Sequence, residues 1–124
     1  MRRLLVDTDT ADDDPVALVM ALRHPGVRVE AITVMAGNVP VDRGVQNVLY
    51  MLEPLEERVP MFRGAEALLL APLKTSQFIH GEDGMGDICL PLHGPEPYPR
   101  HAVDALLKTA DRYPGRLSWS CWGR

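Results

Sequence analysis

Five aspartates fall between Asp7 and Asp14, directly after the apolar run Leu4-Leu5-Val6. A short apolar run that ends in polar residues suits a buried strand. The carboxylates must therefore gather at the exit of that strand. Two like charges about 4 Å apart repel by about 4 kcal/mol at an effective dielectric near 20. Such a cluster is costly unless a cation or protons neutralise it. Hard carboxylate oxygens with no neighbouring His or Cys favour calcium or magnesium over zinc. Helix capping and the helix dipole account for Asp12 to Asp14, at about 0.3–1 kcal/mol each. They do not account for Asp7 and Asp9. An EF-hand loop starting at Asp7 fails, because Ala11, Asp12 and Leu18 stand where it needs Asp or Asn, Gly and Glu.

The rest of the chain alternates strands and helices. Pro15 suits a first helical turn, with Asp14 as its N-cap. Val16, Val19, Met20 and Leu22 give that helix its apolar face, and Pro25-Gly26 stops it. Val27 to Met35 alternates and is β-branched, a second strand. Gly37-Asn38 reads as a turn. Val41 to Glu56 has helical spacing through Val45, Val48, Leu49, Leu52 and Leu55. Val59 to Phe62 is a third strand. Residues 64 to 100 read as a long loop region with one short helix, the kind of segment that often carries function. His101 to Tyr113 is helical, and a fourth strand starts at Arg116. The order predicts an α/β fold, a mainly parallel sheet with flanking helices. Ligands of such sheets lie beyond the carboxyl ends of the strands, where Asp7 and Asn38 both fall.

Composition narrows the classes. The 124 residues are 46% hydrophobic and 24% charged, as in a soluble globular domain. No apolar run reaches the roughly 20 residues of a membrane helix, and Met1-Arg2-Arg3 with Leu4 to Val6 is too short for a signal peptide. A cytoplasmic, membrane-free protein is expected. Net charge is −4 with no Lys/Arg stripe, which argues against nucleic acid as a partner. Cys89 and Cys121 make neither a disulfide framework nor a zinc site.

Three segments carry a family resemblance. Leu5-Val6-Asp7-Thr8-Asp9 through Asp13-Asp14-Pro15-Val16-Ala17-Leu18 resembles the signature Asp-x-Asp-Pro-Gly-x-Asp-Asp-Ala-x-Ala of the inosine/uridine-preferring nucleoside hydrolases. Thr33-Val34-Met35-Ala36-Gly37-Asn38 resembles that family's second strand and Gly-Asn turn. Ile79-His80-Gly81-Glu82-Asp83-Gly84-Met85-Gly86 resembles its mobile His-Gly-x-x-Gly-Met-Gly loop. Weaker matches are Asn47, Val59-Pro60 with Gly64, and His101-Ala102-Val103. The resemblance implies a Rossmann-like nucleoside hydrolase fold and hydrolysis of the N-glycosidic bond of ribonucleosides to ribose and free base. It implies a calcium ion held by Asp7, Asp9 and Asp14, with Asp9 also taking a proton from the attacking water. It implies that Asp13 grips the ribose hydroxyls, that Asn38 binds the sugar, and that His80 closes over it. Gly81, Gly84 and Gly86 fit a gated site.

Two departures set further expectations. Thr10-Ala11 replaces the family's Pro-Gly, so Ala11 is expected to strain the loop if that glycine has positive φ. The segment Arg116 to Arg124 does not resemble the Gly-Pro-Leu-Thr-Asn-like turn that follows in the family. Residues 1–124 are thus expected to be the N-terminal portion of a single hydrolase domain, truncated or frame-shifted, inactive alone and a homo-oligomer at full length. Two alternatives stand beside this reading. One is a non-catalytic metal- or ribose-binding remnant. The other is a haloacid-dehalogenase-like phosphatase, whose strand-Asp-x-Asp-x-Thr motif Asp7 to Ala11 approximates.

Overall fold

A computed structural model describes residues 1–11, 13–88 and 96–123. Asp12 and Cys89 lie outside the described residues. The elements follow the order β1 (Arg2–Thr8), α1 (Asp14–Arg23), β2 (Val27–Val34), α2 (Val41–Leu52), β3 (Met61–Arg63), α3 (Gln77–His80), α4 (Ala102–Arg112) and β4 (Leu117–Cys121). The strands form one sheet in the order β3-β2-β1-β4, and every pairing is parallel. The expected α/β architecture is present.

Alternation along each strand sends successive side chains to opposite faces. Val6, Ile32 and Met61 pack with Leu18 of α1 and with Val45, Val48 and Leu49 of α2. Their sequence neighbours Leu5, Ala31 and Phe62 pack with Ala102 and Ala105 of α4. Both faces of the sheet are therefore covered, as a parallel sheet requires. Among the described residues, no helix is long and apolar enough to cross a membrane.

Two helices differ from the sequence reading, each for a local reason. The second helix stops at Leu52 rather than Glu56. Glu53 still has helical backbone, at φ −59° and ψ −57°, but Pro54 has no N–H with which to continue the helical hydrogen bonds. In α1 the buried residues are Asp14, Pro15 and Leu18, while Val16 and Met20 are exposed. The expected apolar face was thus rotated from the true one. The N-cap position falls on Asp13, not Asp14, and no side chain caps it. Asp14 is the first helical residue, and its carboxylate accepts from the Thr8 hydroxyl instead.

The pairing of β1 with β2 shifts between Leu4 and Leu5, where Val29 and then Ala31 are the partners. Glu30 is the extra residue of this bulge. It is gripped by Arg3, by Arg28 at 3.3 Å and by the Tyr113 hydroxyl at 3.1 Å.

Candidate active site

The carboxyl ends of β1 and β2 bring the sequence-selected acids together. Asp9 is fully buried, and Asp7 and Asp14 are nearly so. Each acid meets neutral donors only. Asp9 accepts from the Asn38 backbone N–H at 2.8 Å through Oδ2 and from the Asn38 side-chain amide at 3.3 Å through Oδ1. Asp7 accepts from the Thr33 hydroxyl at 2.6 Å and from the Cys121 thiol at 3.5 Å. The ion pairs found among the described residues join Arg3 and Arg28 to Glu30 and Arg63 to Asp42 and Glu66, none of them in this cluster.

The electrostatics register this concentration of charge. Burial, with repulsion from Asp9 and Asp13 added, outweighs the Thr8 and Thr10 hydrogen bonds and pushes the Asp14 carboxyl up to about 6. Burial likewise raises Asp7, against hydrogen bonds from Thr33 and Cys121 and with help from the Asp9 charge. The Cys121 thiol is pushed up too, first by desolvation and then by the Asp7 charge. A cation among these groups would reverse every one of these repulsive contributions.

Whether the residues suit a divalent cation is a question of donors. Three buried carboxylates with no cationic partner are a hard-oxygen set of the kind calcium takes. Among the described residues, however, no three His, Cys, Asp or Glu side chains converge as a ready-made cage. The reason is visible: Asp7, Asp9 and Asp14 are each turned onto a separate neutral donor. Asn38 adds a second sign of an absent ligand, because its buried Oδ1 has no hydrogen-bond partner. The donor set fits in chemistry and is incomplete in number, since calcium takes six to eight oxygens.

The other expected site residues sit around this cluster. Asp13 is exposed at the start of α1. His80 ends α3, and that short helix is tethered to the site because the Ser76 N–H donates to the Asn38 carbonyl at 2.8 Å. After His80 the chain turns through Gly81, Gly84 and Gly86, all with positive φ. Strain at Ala11 was expected; the left-handed residue of the carboxylate loop is instead Thr10, with φ 36°. Its N–H donates to the Thr8 hydroxyl oxygen at 3.0 Å.

Sequence reasoning missed Thr8, Thr33 and Cys121 as partners of the acids. Strand register holds the signal, since Asp7 lies opposite both Thr33 and Cys121. It missed Gly37 as well. A Cβ on Gly37 would collide with the Asp9 carboxylate. Gly37→Ala is therefore expected to push Asp9 off Asn38 and to destabilise the chain by about 1–3 kcal/mol. Urea unfolding checks this, and an unchanged midpoint counts against the tight packing.

The comparisons with known proteins agree with this geometry. The family model described as inosine-uridine preferring nucleoside hydrolase matches residues 4–124, so the match continues through β4 to the end of the sequence. A probable uridine nucleosidase 1 from Oryza sativa subsp. japonica is 30% identical over 118 residues, covering 94% of this chain and 36% of that protein. The non-specific ribonucleoside hydrolase RihC of Salmonella agona (strain SL483) is 35% identical over 103 residues, covering 83% of this chain and 34% of that protein. Among solved structures, a plant nucleoside hydrolase superposes with a TM-score of 0.91 at 30% identity, covering 98% of this chain and 39% of its own. A purine-preferring ribonucleoside hydrolase from Gardnerella vaginalis gives 0.89 at 29% identity, covering 97% and 40%. The chain thus spans about a third of the length of the curated relatives it matches. These matches favour the hydrolase over the haloacid-dehalogenase-like phosphatase. A parallel sheet with its acids at the exit of β1, a Gly-Asn turn against Asp9 and a family match over residues 4–124 lead to one conclusion: the chain belongs to the inosine-uridine preferring nucleoside hydrolase family.

Proposed function

We propose that the acidic mouth of the sheet is the calcium and ribose site of an enzyme that hydrolyses the N-glycosidic bond of ribonucleosides. The observation that carries the reading is the set of three buried carboxylates, Asp7, Asp9 and Asp14, facing neutral donors alone. On this reading Asp7, Asp9 and Asp14 hold the ion. When bound, calcium supplies Lewis-acid help in ionising a water molecule. Asp9 takes the proton of the attacking water as general base. Asp13 holds the ribose hydroxyls, and the unpartnered Asn38 Oδ1 accepts from one of them. His80 shields the sugar from above as its loop closes. Cleavage develops positive charge on the ribose ring, and the surrounding carboxylates stabilise it. Residues 1–124 are read as the N-terminal portion of one cytoplasmic hydrolase domain. Such a portion by itself is a binding unit without turnover, and the complete enzyme is a homo-oligomer.

Calorimetric titration of the chain with calcium tests the reading. Uptake is expected in the wild type and not in a chain with Asp9→Ala and Asp14→Asn together. Ribose is then expected to bind the calcium-loaded chain. A wild-type chain that takes up no calcium at millimolar concentration removes the metal site from the proposal.

A further inference from the structure

Asn47 lies on α2, is 2% exposed, and has no place in the acid cluster. Its side-chain amide donates twice, to the Thr10 carbonyl at 3.3 Å and to the Asp83 carbonyl at 2.8 Å. The two acceptors are 73 residues apart in sequence and belong to different loops. Thr10 immediately follows Asp9. Asp83 lies in the glycine-rich loop that follows His80, and its carboxylate organises that loop by accepting from the Met85 N–H at 2.8 Å and the Asp87 N–H at 2.9 Å.

Both loops need outside support. Thr10 is β-branched and left-handed at φ 36°, a conformation that costs about 1–3 kcal/mol and persists only when its surroundings enforce it. The glycine-rich loop contributes no buried apolar side chain to either core cluster. It meets the carboxylate loop at Gly84, where a Cβ would stand 2.5 Å from Val39 Cγ1 and 3.5 Å from both Asn47 Nδ2 and the Thr10 carbonyl oxygen. Only a residue without a side chain permits this approach.

We propose that Asn47 is a positioning residue that ties the glycine-rich loop to the carboxylate loop, so that one amide group sets both Asp9 and the loop following His80. The rigid helix α2 is the common anchor. Displacement of either loop removes one of the two acceptors and loosens the other loop's support. The inference rests on the proposed calcium and ribose site for its functional meaning, but the tie itself is testable without turnover.

Hydrogen exchange on the chain carries the first test. Asn47→Leu keeps the bulk and removes both donors. Exchange is expected to quicken about tenfold, the size of one net hydrogen bond, at Thr10 and Ala11 and also at Met85 and Asp87. Amides of β2 and β4 are expected to keep their rates. Faster exchange in one loop only, or in neither, overturns the proposal. If Asn47→Leu does not fold, Asp83→Ala decides: it removes the acceptor of the Met85 and Asp87 N–H groups and adds no atom beside Thr10, so faster exchange at Thr10 supports the tie and an unchanged rate overturns it. A spectroscopic signature separates positioning from mere structural support. Terbium stands in for calcium and is sensitised by tryptophan; the Trp122 backbone N–H donates to the Asp7 carbonyl at 2.8 Å, and its indole N–H donates to the Ser120 hydroxyl at 2.6 Å. Asn47→Leu is expected to raise the terbium midpoint at least threefold while leaving the unfolding transition cooperative. An unaltered midpoint overturns the link to Asp9. A wild-type chain that binds no terbium defeats the metal reading instead, and the exchange experiment still settles Asn47.

Discussion

Asp9→Ala is expected to lower nucleoside hydrolysis by about 100- to 10,000-fold, the usual contribution of a positioned general base. The chain matches about a third of its relatives' length, so the measurement belongs in a chimera in which residues 4–124 replace the matching segment of a ribonucleoside hydrolase. Asp9 is fully buried and is oriented by two donors from a single residue, Asn38. The substitution removes a negative group without crowding the site. Asp9→Asn keeps the shape but turns an amide toward the Asn38 N–H, so it is expected to be nearly as damaging. Base release from inosine or uridine, followed by the absorbance change, reads the effect. Retention of more than half the parent rate in both variants would take Asp9 out of the chemistry.

Asp14→Asn should have the opposite sign on the stability of the metal-free chain. The Asp14 carboxyl is raised to about 6 in the folded chain from an ordinary 3.8. Between those values the folded chain binds more protons than the unfolded chain, so stability falls as pH rises. The favourable contribution is complete below about pH 4 and is lost as pH passes through about 6. The gap corresponds to about 3 kcal/mol. Without divalent cation, the asparagine variant is thus expected to exceed the wild type by up to that amount at pH 7.5 and to match it near pH 4. Excess calcium should reverse the order at pH 7.5, because only the wild type keeps this ligand. Denaturant midpoints at the two pH values provide the check. A wild-type-to-variant difference that ignores pH contradicts the buried, repelled state of Asp14.

The order of strands and helices was legible because apolar periodicity follows from burial. Leu5, Ala31 and Phe62 on one face and Val6, Ile32 and Met61 on the other obey the alternation that the sequence displays. The gathering of the acids and Asn38 at the strand ends was legible as well, though the hydrogen bonds from Asn38 to Asp9 were not. The misreadings share a different cause. Val16 and Met20 are apolar yet face outward, since α1 turns toward the sheet the face that carries Asp14 and Leu18. Hydrophobicity alone does not say which face wins when a carboxylate must point at Thr8. Thr33 and Cys121 went unnoticed because register is a property of two strands, not of either one. Asn47 stood out only as a weaker family match, and its role stayed hidden because its two carbonyl partners come from distant loops.

The extra residue at Glu30 has a consequence at the opposite end of the strand. Were Glu30 paired in regular register rather than looped out, the ladder that pairs Leu4 with Val29 would set Asp7 beside Ile32. A carboxylate would then face a methyl group where it now finds a hydroxyl. The bulge near the foot of β2 thus selects the chemistry at its head, and only a change that pulls Glu30 back into the ladder would exchange hydrophilic company for hydrophobic at Asp7; excising Glu30 would straighten the strand and leave Thr33 in place.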